Sequence, residues 1–209
     1  MRNRKFHFDI VQGTEEWHDL RRGRIGKTTA KTLSVKGKAS HGFGVGAVTQ
    51  MHRIVEERLT GKTRESYSGK ATEHGHEFEP IAREHYELYN FIKVTEIGYV
   101  EYGGNIGCSP DGVIPKMKKG IEIKCRPTQH MTLVIENKYE ENDYFECQYN
   151  LWCTEYDSWD LIYYHDSLPD HLKMLVFTFK PDLKLFEEFE NLTSKFEREI
   201  CAIIKRLEK

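Results

Sequence analysis

The chain has 209 residues, of which 38% are hydrophobic and 31% charged, and its formal net charge of −2 is too small to indicate a polyanionic partner by itself. This length suffices for a single domain over residues 1–209 with its own hydrophobic core, and the absence of an eighteen-residue apolar run argues against a membrane span. The five cysteines form no C-x-x-C pair, which argues against a disulfide scaffold or zinc ribbon and favours a reducing, intracellular compartment.

The first third of the chain predicts three helices. Thr14 is a capping residue for a short helix that has an acidic first turn and ends at Gly23. A second helix begins near Thr28, and apolar residues at helical spacing over 48–59 predict a third. The glycine-rich segment 36–46 between them predicts a loop.

The rest of the chain predicts a sheet with helices on its faces. A helical pattern at 71–89 contains Pro80, which predicts a kink or a new start there. The elements expected after it are strands at 92–102, 106–114 and 120–125, a helix at 139–155, strands at 159–165 and 173–180, and a helix at about 182–207. This order predicts an α/β fold with a mixed β-sheet flanked by helices, and the apolar stripe of the last helix is interpreted as core packing.

Positive charge is concentrated at the start of the chain. Residues 1–38 contain ten Lys or Arg and four Asp or Glu. Residues 139–209, in contrast, contain eight Lys or Arg and sixteen Asp or Glu. A basic segment on an otherwise neutral-to-acidic protein fits the binding of a polyanion at one defined place. A solvated basic arm is the alternative interpretation.

Two carboxylates and a lysine are predicted to converge on adjacent strands. Asp111 lies in the break Ser-Pro-Asp-Gly, and ten residues later comes an alternating strand in which Glu122 and Lys124 project to one face. Ile121 and Ile123 project to the other face and pack into the core. If the two strands form a hairpin, Asp111 lies beside Glu122.

This arrangement suits a hard divalent cation. Two carboxylates and the backbone carbonyl of Ile123 form an oxygen site for Mg²⁺ or Mn²⁺, and such an ion polarises a phosphoryl oxygen and lowers the pKa of a bound water. Lys124 would orient that water and stabilise the charge of the transition state. A surface salt-bridge ladder explains the same trio, and the spacing alone leaves both interpretations open.

Five motifs follow one another over residues 12–165. They are Gln12-Gly13-Thr14-Glu15-Glu16-Trp17 with Leu20-Arg21-Arg22-Gly23-Arg24-Ile25-Gly26, Gly75-x-x-x-Glu79-Pro80-x-Ala82-Arg83-x-x-Tyr86, Ile106-Gly107-x-Ser109-Pro110-Asp111-Gly112, Glu122-Ile123-Lys124-Cys125, and Tyr144-x-x-x-Gln148-x-x-Leu151-Trp152 followed by Trp159-Asp160. Together they resemble the lambda exonuclease, or YqaJ-type viral recombinase, branch of the PD-(D/E)xK nucleases. The resemblance implies a restriction-endonuclease-like core.

The resemblance also implies roles for the acidic and basic residues of these motifs. Asp111 and Glu122 would hold metal ions, and Glu79 would contribute to a second ion. Lys124 would position the attacking water, and Gln148 would complete the site from the following helix. The implied cofactor is therefore a pair of Mg²⁺ or Mn²⁺ ions.

A second set of positions matches those that the family uses for the 5′-phosphate of a DNA end. These are Arg21, Thr28 and Ser109, and an arginine with nearby hydroxyls is a good phosphate cradle. Thr28 stands in Gly-Lys-Thr where lambda exonuclease has Thr-Ala-Ser. The hydroxyl is retained, and Lys27 is added beside it.

The implied function is a metal-dependent exonuclease that degrades linear double-stranded DNA 5′ to 3′, releases mononucleotides and leaves a 3′ single strand for recombination or repair. The family implies a ring-shaped homotrimer and a single-strand annealing protein as partner. The expected location is the cytoplasm of a bacterial or phage-infected host, or the nucleus if the source is eukaryotic or viral. The alternatives are an endonuclease or structure-specific nickase of the same fold and a catalytically inactive DNA-binding protein.

Overall fold

Two β-sheets flanked by helices carry the fold in a computed structural model, which describes residues 3–38, 41–63 and 70–209, with side chains from residue 77 onward in the last range. The strands are β1 (Arg4–His7), β2 (Tyr99–Tyr102), β3 (Ile106–Cys108), β4 (Gly112–Ile114), β5 (Lys119–Lys124), β6 (Ser158–Tyr164) and β7 (Met174–Phe179). The helices are α1 (Glu15–Arg21), α2 (Lys27–Leu33), α3 (Val45–Thr60), α4 (Lys70–Asn90), α5 (Pro127–Glu136), α6 (Glu141–Thr154), α7 (Asp170–Lys173) and α8 (Leu183–Leu207). The predicted α/β class is confirmed.

The two sheets differ in topology. The smaller one is antiparallel with the order β1-β2-β3, and the larger one has the order β4-β5-β6-β7. In the larger sheet, β5 and β6 are parallel and the outer pairs are antiparallel. Parallel neighbours need a long crossover, which α5 and α6 provide.

The predicted strand at 106–114 is divided between the sheets. β3 ends at Cys108 and pairs with β2, and β4 begins at Gly112 and pairs with β5. Pro110 lies in the break, where its missing N–H removes no ladder bond. The predicted break at Ser109–Gly112 divides this run into two strands, and it is where the chain passes from one sheet to the other.

Other predicted elements also differ from those in the structure. The strand predicted at 92–102 is reduced to β2, and β1, α5 and α7 were not predicted. Residues 39 and 40 of the predicted loop 36–46 lie outside the described residues, and α3 begins at Val45. α4 continues through Pro80, so no new helix starts there. Its second half packs Ala82 and Tyr86, which are fully buried, against the larger sheet, and this burial offsets the proline penalty of about 3 kcal/mol.

The core has two parts. The larger cluster draws on α2, α3, α6, α8 and strands of both sheets, and the smaller one joins α4 to β4, β5 and β6. Ile121 and Ile123 lie in the smaller cluster, as the alternation of β5 predicted. The α8 stripe contributes Phe189, Phe196 and Ile200 to the larger cluster, which confirms its interpretation as core packing. No described helix is both long and apolar enough to cross a membrane.

Candidate active site

Asp111 is held against the middle of β5. The β4–β5 ladder is antiparallel and pairs Gly112 with Ile121, so Asp111 continues toward Glu122. The backbone N–H of Ile123 donates to Asp111 Oδ2 at 2.7 Å. The structure therefore contains the predicted hairpin and brings the two carboxylates together.

Two lysines and two glutamates form a closed ring of alternating charge, which we call the charge ring. Lys124 Nζ lies 2.8 Å from Glu122 Oε1 and 2.8 Å from Glu146 Oε2. Lys27 Nζ contacts the same two oxygens at 2.7 Å and 3.0 Å. One oxygen of each glutamate therefore contacts both ammonium groups.

Two further side chains support the charge ring from outside. Asn150 Nδ2 donates to Glu122 Oε2 at 2.9 Å, and Lys31 forms an ion pair with Glu146. Asn150 lies one turn after Glu146 on α6, and Lys31 lies one turn after Lys27 on α2. Because residues four apart share a helix face, α6 presents Glu146 to Lys124 and Asn150 to Glu122 of β5. On α2, Lys27 contacts Glu122 of β5, whereas Lys31 contacts Glu146 of α6.

Opposite charges in the ring shift the pKa values of three of its members toward their charged forms. Burial alone would lower the pKa of Lys27, but the carboxylates of Glu122 and Glu146 raise it above its ordinary value. The same balance raises the pKa of Lys124. Burial would raise the pKa of Glu146, but Lys27 and Lys124 hold it well below its ordinary value.

Asp111, in contrast, lies where the ionised form of its carboxyl is disfavoured. Burial and the negative charges of Glu122 and Glu79 raise its pKa to about 8, although Lys27 and Lys124 act against this rise. A carboxyl whose ionisation is opposed by two neighbouring carboxylates gains from a nearby cation. The carboxylates around Asp111 are oxygen donors of the kind that a hard divalent ion prefers.

Glu79 acts on Asp111 through its charge and is itself tied to its own helix. Glu79 Oε1 accepts from Arg83 Nη2 at 2.8 Å, and Arg83 Nη1 also contacts Glu96 at 2.7 Å. Among the described residues, no three His, Cys, Asp or Glu side chains form a group that could hold a metal ion. The roles implied for Glu79 and for the Ile123 carbonyl as metal ligands stay predictions.

Gln148 lies outside the charge ring, so its implied role in the site needs correction. Its Nε2 donates to the Lys180 carbonyl at 2.9 Å, and its Oε1 accepts from the Asp182 N–H at 2.9 Å. Residues two apart on a helix project in different directions, so Gln148 cannot share the direction of Glu146. Gln148 fixes the entry into α8, whereas Glu146 and Asn150 are α6 residues that contact side chains of β5.

The three predicted phosphate ligands lie beside the acidic site. Arg21, Thr28 and Ser109 line one cavity of about 1030 Å³, and both Lys27 and Asp111 line it too. The cavity therefore extends from the N-terminal helices to the β4–β5 hairpin that holds Asp111 beside β5.

Trp17 connects two of these side chains. Its Nε1 donates to Ser109 Oγ at 3.0 Å and to the Gly98 carbonyl at 3.0 Å. The guanidinium carbon of Arg21 lies 3.9 Å from the centre of the Trp17 ring, a cation–π contact. Trp17 thus fixes Arg21 and Ser109 on the same wall of the cavity.

The amino-acid sequence of the chain matches a known protein family over most of its length. Residues 16–157 match the model of the YqaJ-like viral recombinase domain. The chain belongs to this family. No curated protein sequence matches the YqaJ-like chain significantly.

Solved structures place the YqaJ-like chain among exonucleases. It is similar to an alkaline exonuclease from Laribacter hongkongensis, with 28% identity and a TM-score of 0.82 over 93% of this chain and 96% of that one. The same exonuclease in complex with dAMP matches with 29% identity and a TM-score of 0.81, over 93% and 96% of the two chains. A phage-related exonuclease from Haemophilus somnus 129PT has a similar fold, with 14% identity, a TM-score of 0.68 and coverage of 91% and 99%. The restriction-endonuclease-like fold and the exonuclease family expected from the sequence are confirmed.

Sequence reasoning missed several residues of the site in this YqaJ-like domain. Lys27 was seen only as an addition to the phosphate cradle, and Glu146, Lys31 and Asn150 were not considered. A signal was present, because the pairs 27/31 and 146/150 each have the four-residue spacing of one helix face. That spacing does not reveal that the two faces meet at β5.

Proposed function

We propose that this YqaJ-like domain is a divalent-metal-dependent exonuclease that degrades double-stranded DNA from a 5′ end, releases mononucleotides and leaves a 3′ single strand. One observation carries the proposal: residues suited to a terminal phosphate and a carboxylate suited to a metal ion line the same cavity. An enzyme that grips the end of a strand beside its cutting site removes nucleotides from that end.

The comparisons support the release of mononucleotides. The alkaline exonuclease from Laribacter hongkongensis binds dAMP, a single nucleotide, and its fold covers nearly the whole of this chain. A cavity of about 1030 Å³ has room for a nucleotide of this size.

The residues of the site have distinct parts in the proposed reaction. Asp111, Glu122 and the Ile123 carbonyl would hold one ion, and Glu79 would contribute to a second. Bound ions of this kind polarise a phosphoryl oxygen and lower the pKa of a water. Lys124, fixed between two carboxylates, would orient the attacking water and stabilise negative charge on the phosphate.

A digestion time course with defined ends tests the proposal. Linear duplexes labelled at either the 5′ or the 3′ end, and a closed circle of the same sequence, are incubated with Mg²⁺, with Mn²⁺ or with EDTA. We expect the 5′ label to appear first, as a mononucleotide, only with a divalent ion and only on the linear substrate. Cutting of the circle would favour an endonuclease or nickase, and binding without digestion would favour an inactive DNA-binding protein.

Replacing Arg21 with alanine should reduce activity on 5′-phosphorylated ends more than on 5′-hydroxyl ends. A charge-assisted hydrogen bond contributes about 1.5–3 kcal/mol, which corresponds to a loss of roughly ten- to a hundredfold in kcat/KM on phosphorylated DNA. The measurement is kcat/KM on two duplexes that differ only in the terminal phosphate.

Arg22 provides the matched control for Arg21. It follows Arg21 in the chain and lines the same cavity, but its guanidinium is paired with Asp19 and Thr63. Arg22→Ala should show little discrimination between the two ends. Equal losses on both ends for Arg21→Ala would contradict a phosphate-binding role.

A ring-shaped homotrimer and a single-strand annealing protein as partner belong to the same proposal, and they rest on the family alone. Sedimentation of the protein with duplex DNA and Ca²⁺, which does not support turnover in this proposal, should give a species of three chains. A stable monomer under these conditions would contradict the trimer.

A further inference from the structure

Lys27 duplicates the contacts of Lys124. Both ammonium groups bind Glu122 Oε1, at 2.7 Å and 2.8 Å, and both bind Glu146 Oε2, at 3.0 Å and 2.8 Å. Glu122 is 1% exposed, so its charge must be compensated inside the protein. One lysine and Asn150 already provide a cation and a hydrogen-bond donor for this carboxylate.

The two lysines differ in where they come from. Lys124 belongs to β5, between the carboxylates, and its neighbours in the strand are fixed by pairing with β6. Lys27 is the first residue of α2, its side chain is 26% exposed, and it lines the open cavity next to Thr28. Lys27 is therefore the ring cation that has space to move.

A divalent ion at Glu122 would meet the charge of Lys27 at close range. Like charges at such a short distance in a partly buried site repel each other more strongly than they would in water. Lys27 loses little by giving up Glu122, because Glu146 remains as its partner. Lys31 forms its ion pair with Glu146 rather than with Glu122.

We infer that Lys27 is a displaceable internal cation: it holds the Glu122 carboxylate in position while the site lacks metal, and it competes with Mg²⁺ or Mn²⁺ for that carboxylate. This inference rests on the metal site of the proposed function. Lys27 is in this sense a positioning residue, which sets the metal affinity of the site through Glu122.

Calorimetric titration with Mn²⁺ tests this inference on the full chain without DNA. Lys27→Met keeps the length of the side chain and removes its charge, and it should bind Mn²⁺ about tenfold more tightly than the wild type. Its Tm in EDTA should be lower, and its rise in Tm on adding Mn²⁺ should be larger. Lys27→Arg should restore the weaker affinity of the wild type.

Lys31→Met is the matched control. It removes the same charge from the same helix face one turn later, where the lysine contacts only Glu146. Its affinity for Mn²⁺ should stay within twofold of that of the wild type. Lys27→Gln provides a second uncharged variant if Lys27→Met does not give the wild-type circular dichroism spectrum.

The outcomes separate this inference from the proposed function. Wild-type binding of Mn²⁺ with equal or weaker binding by both uncharged Lys27 variants would overturn the role of Lys27 and leave the metal site standing. The same gain in affinity for Lys31→Met would also overturn it, because a general charge effect would then suffice. No Mn²⁺ binding by the wild type, together with DNA digestion in EDTA, would overturn the metal site itself.

Discussion

Replacing Glu122 with glutamine should lower the rate of digestion of linear DNA by about three orders of magnitude or more, which corresponds to the several kcal/mol that a catalytic metal ion contributes. Glutamine keeps the size of the side chain but removes the charge that would attract the ion. It also weakens the hold on Lys124, since Glu122 Oε1 is one of its two anionic partners. One substitution would therefore affect both the proposed ion and the lysine proposed to orient water.

The measurement is single-turnover digestion at saturating enzyme, so that binding does not limit the rate. DNA affinity, measured by fluorescence anisotropy, should stay within a few-fold of the wild type, because Arg21 and the rest of the cavity are unchanged. Glu155→Gln is the control, since this side chain is 64% exposed and contacts Arg4 far along the chain from β5. Digestion by Glu122→Gln at the parental rate would remove Glu122 from the catalytic site.

Replacing Asp143 with alanine should lower the free energy of unfolding by about 2–3 kcal/mol, because it removes the charge-assisted hydrogen bonds from Arg126 and leaves the Tyr163 hydroxyl without its acceptor. Asp143 is fully buried and accepts two hydrogen bonds from Arg126, at 2.7 Å and 2.8 Å. Tyr163 Oη donates to the same carboxylate at 2.8 Å. These contacts join the chain just after β5 to the first turn of α6 and to β6.

Urea unfolding followed by circular dichroism measures this loss. Tyr163→Phe is the matched control, because it removes one neutral donor from the same carboxylate and should cost about 1 kcal/mol. A loss below about 1 kcal/mol for Asp143→Ala would show that the pair is not needed for stability, as occurs when desolvation cancels the attraction. Because Arg126 lies two residues after Lys124, the Asp143 variant should also lose activity.

The β4–β5 hairpin could be predicted because its determinants are local. The alternation of Ile121, Glu122, Ile123 and Lys124 fixes which side chains face the core, since the side-chain period of a strand is two. The break at Ser-Pro-Asp-Gly marks the start of the partner strand. Both features lie within sixteen residues, so no distant packing had to be known.

The charge ring could not be predicted because it depends on packing between distant segments. Lys27 meets Glu122 across 95 positions of the chain, and Lys31 meets Glu146 across 115. Spacing on α2 and α6 shows which residues share a face but not which element that face contacts. The motif identifies the helix that contains Gln148 and Glu146 but not how this helix is rotated against β5. The sequence therefore pointed to Gln148 and not to Glu146.

The passage of the chain between the two sheets has a consequence for the length of the product. Ser109 and Asp111 are two residues apart on either side of Pro110, so their Cα atoms are separated by at most about 7 Å. If Ser109 grips the terminal phosphate and Asp111 holds the ion at the next one, covalent bonds fix the distance from anchor to cut. The backbone between Ser109 and Asp111 would then set a product length of one nucleotide. A residue inserted at this break would change the number of nucleotides removed by each cut.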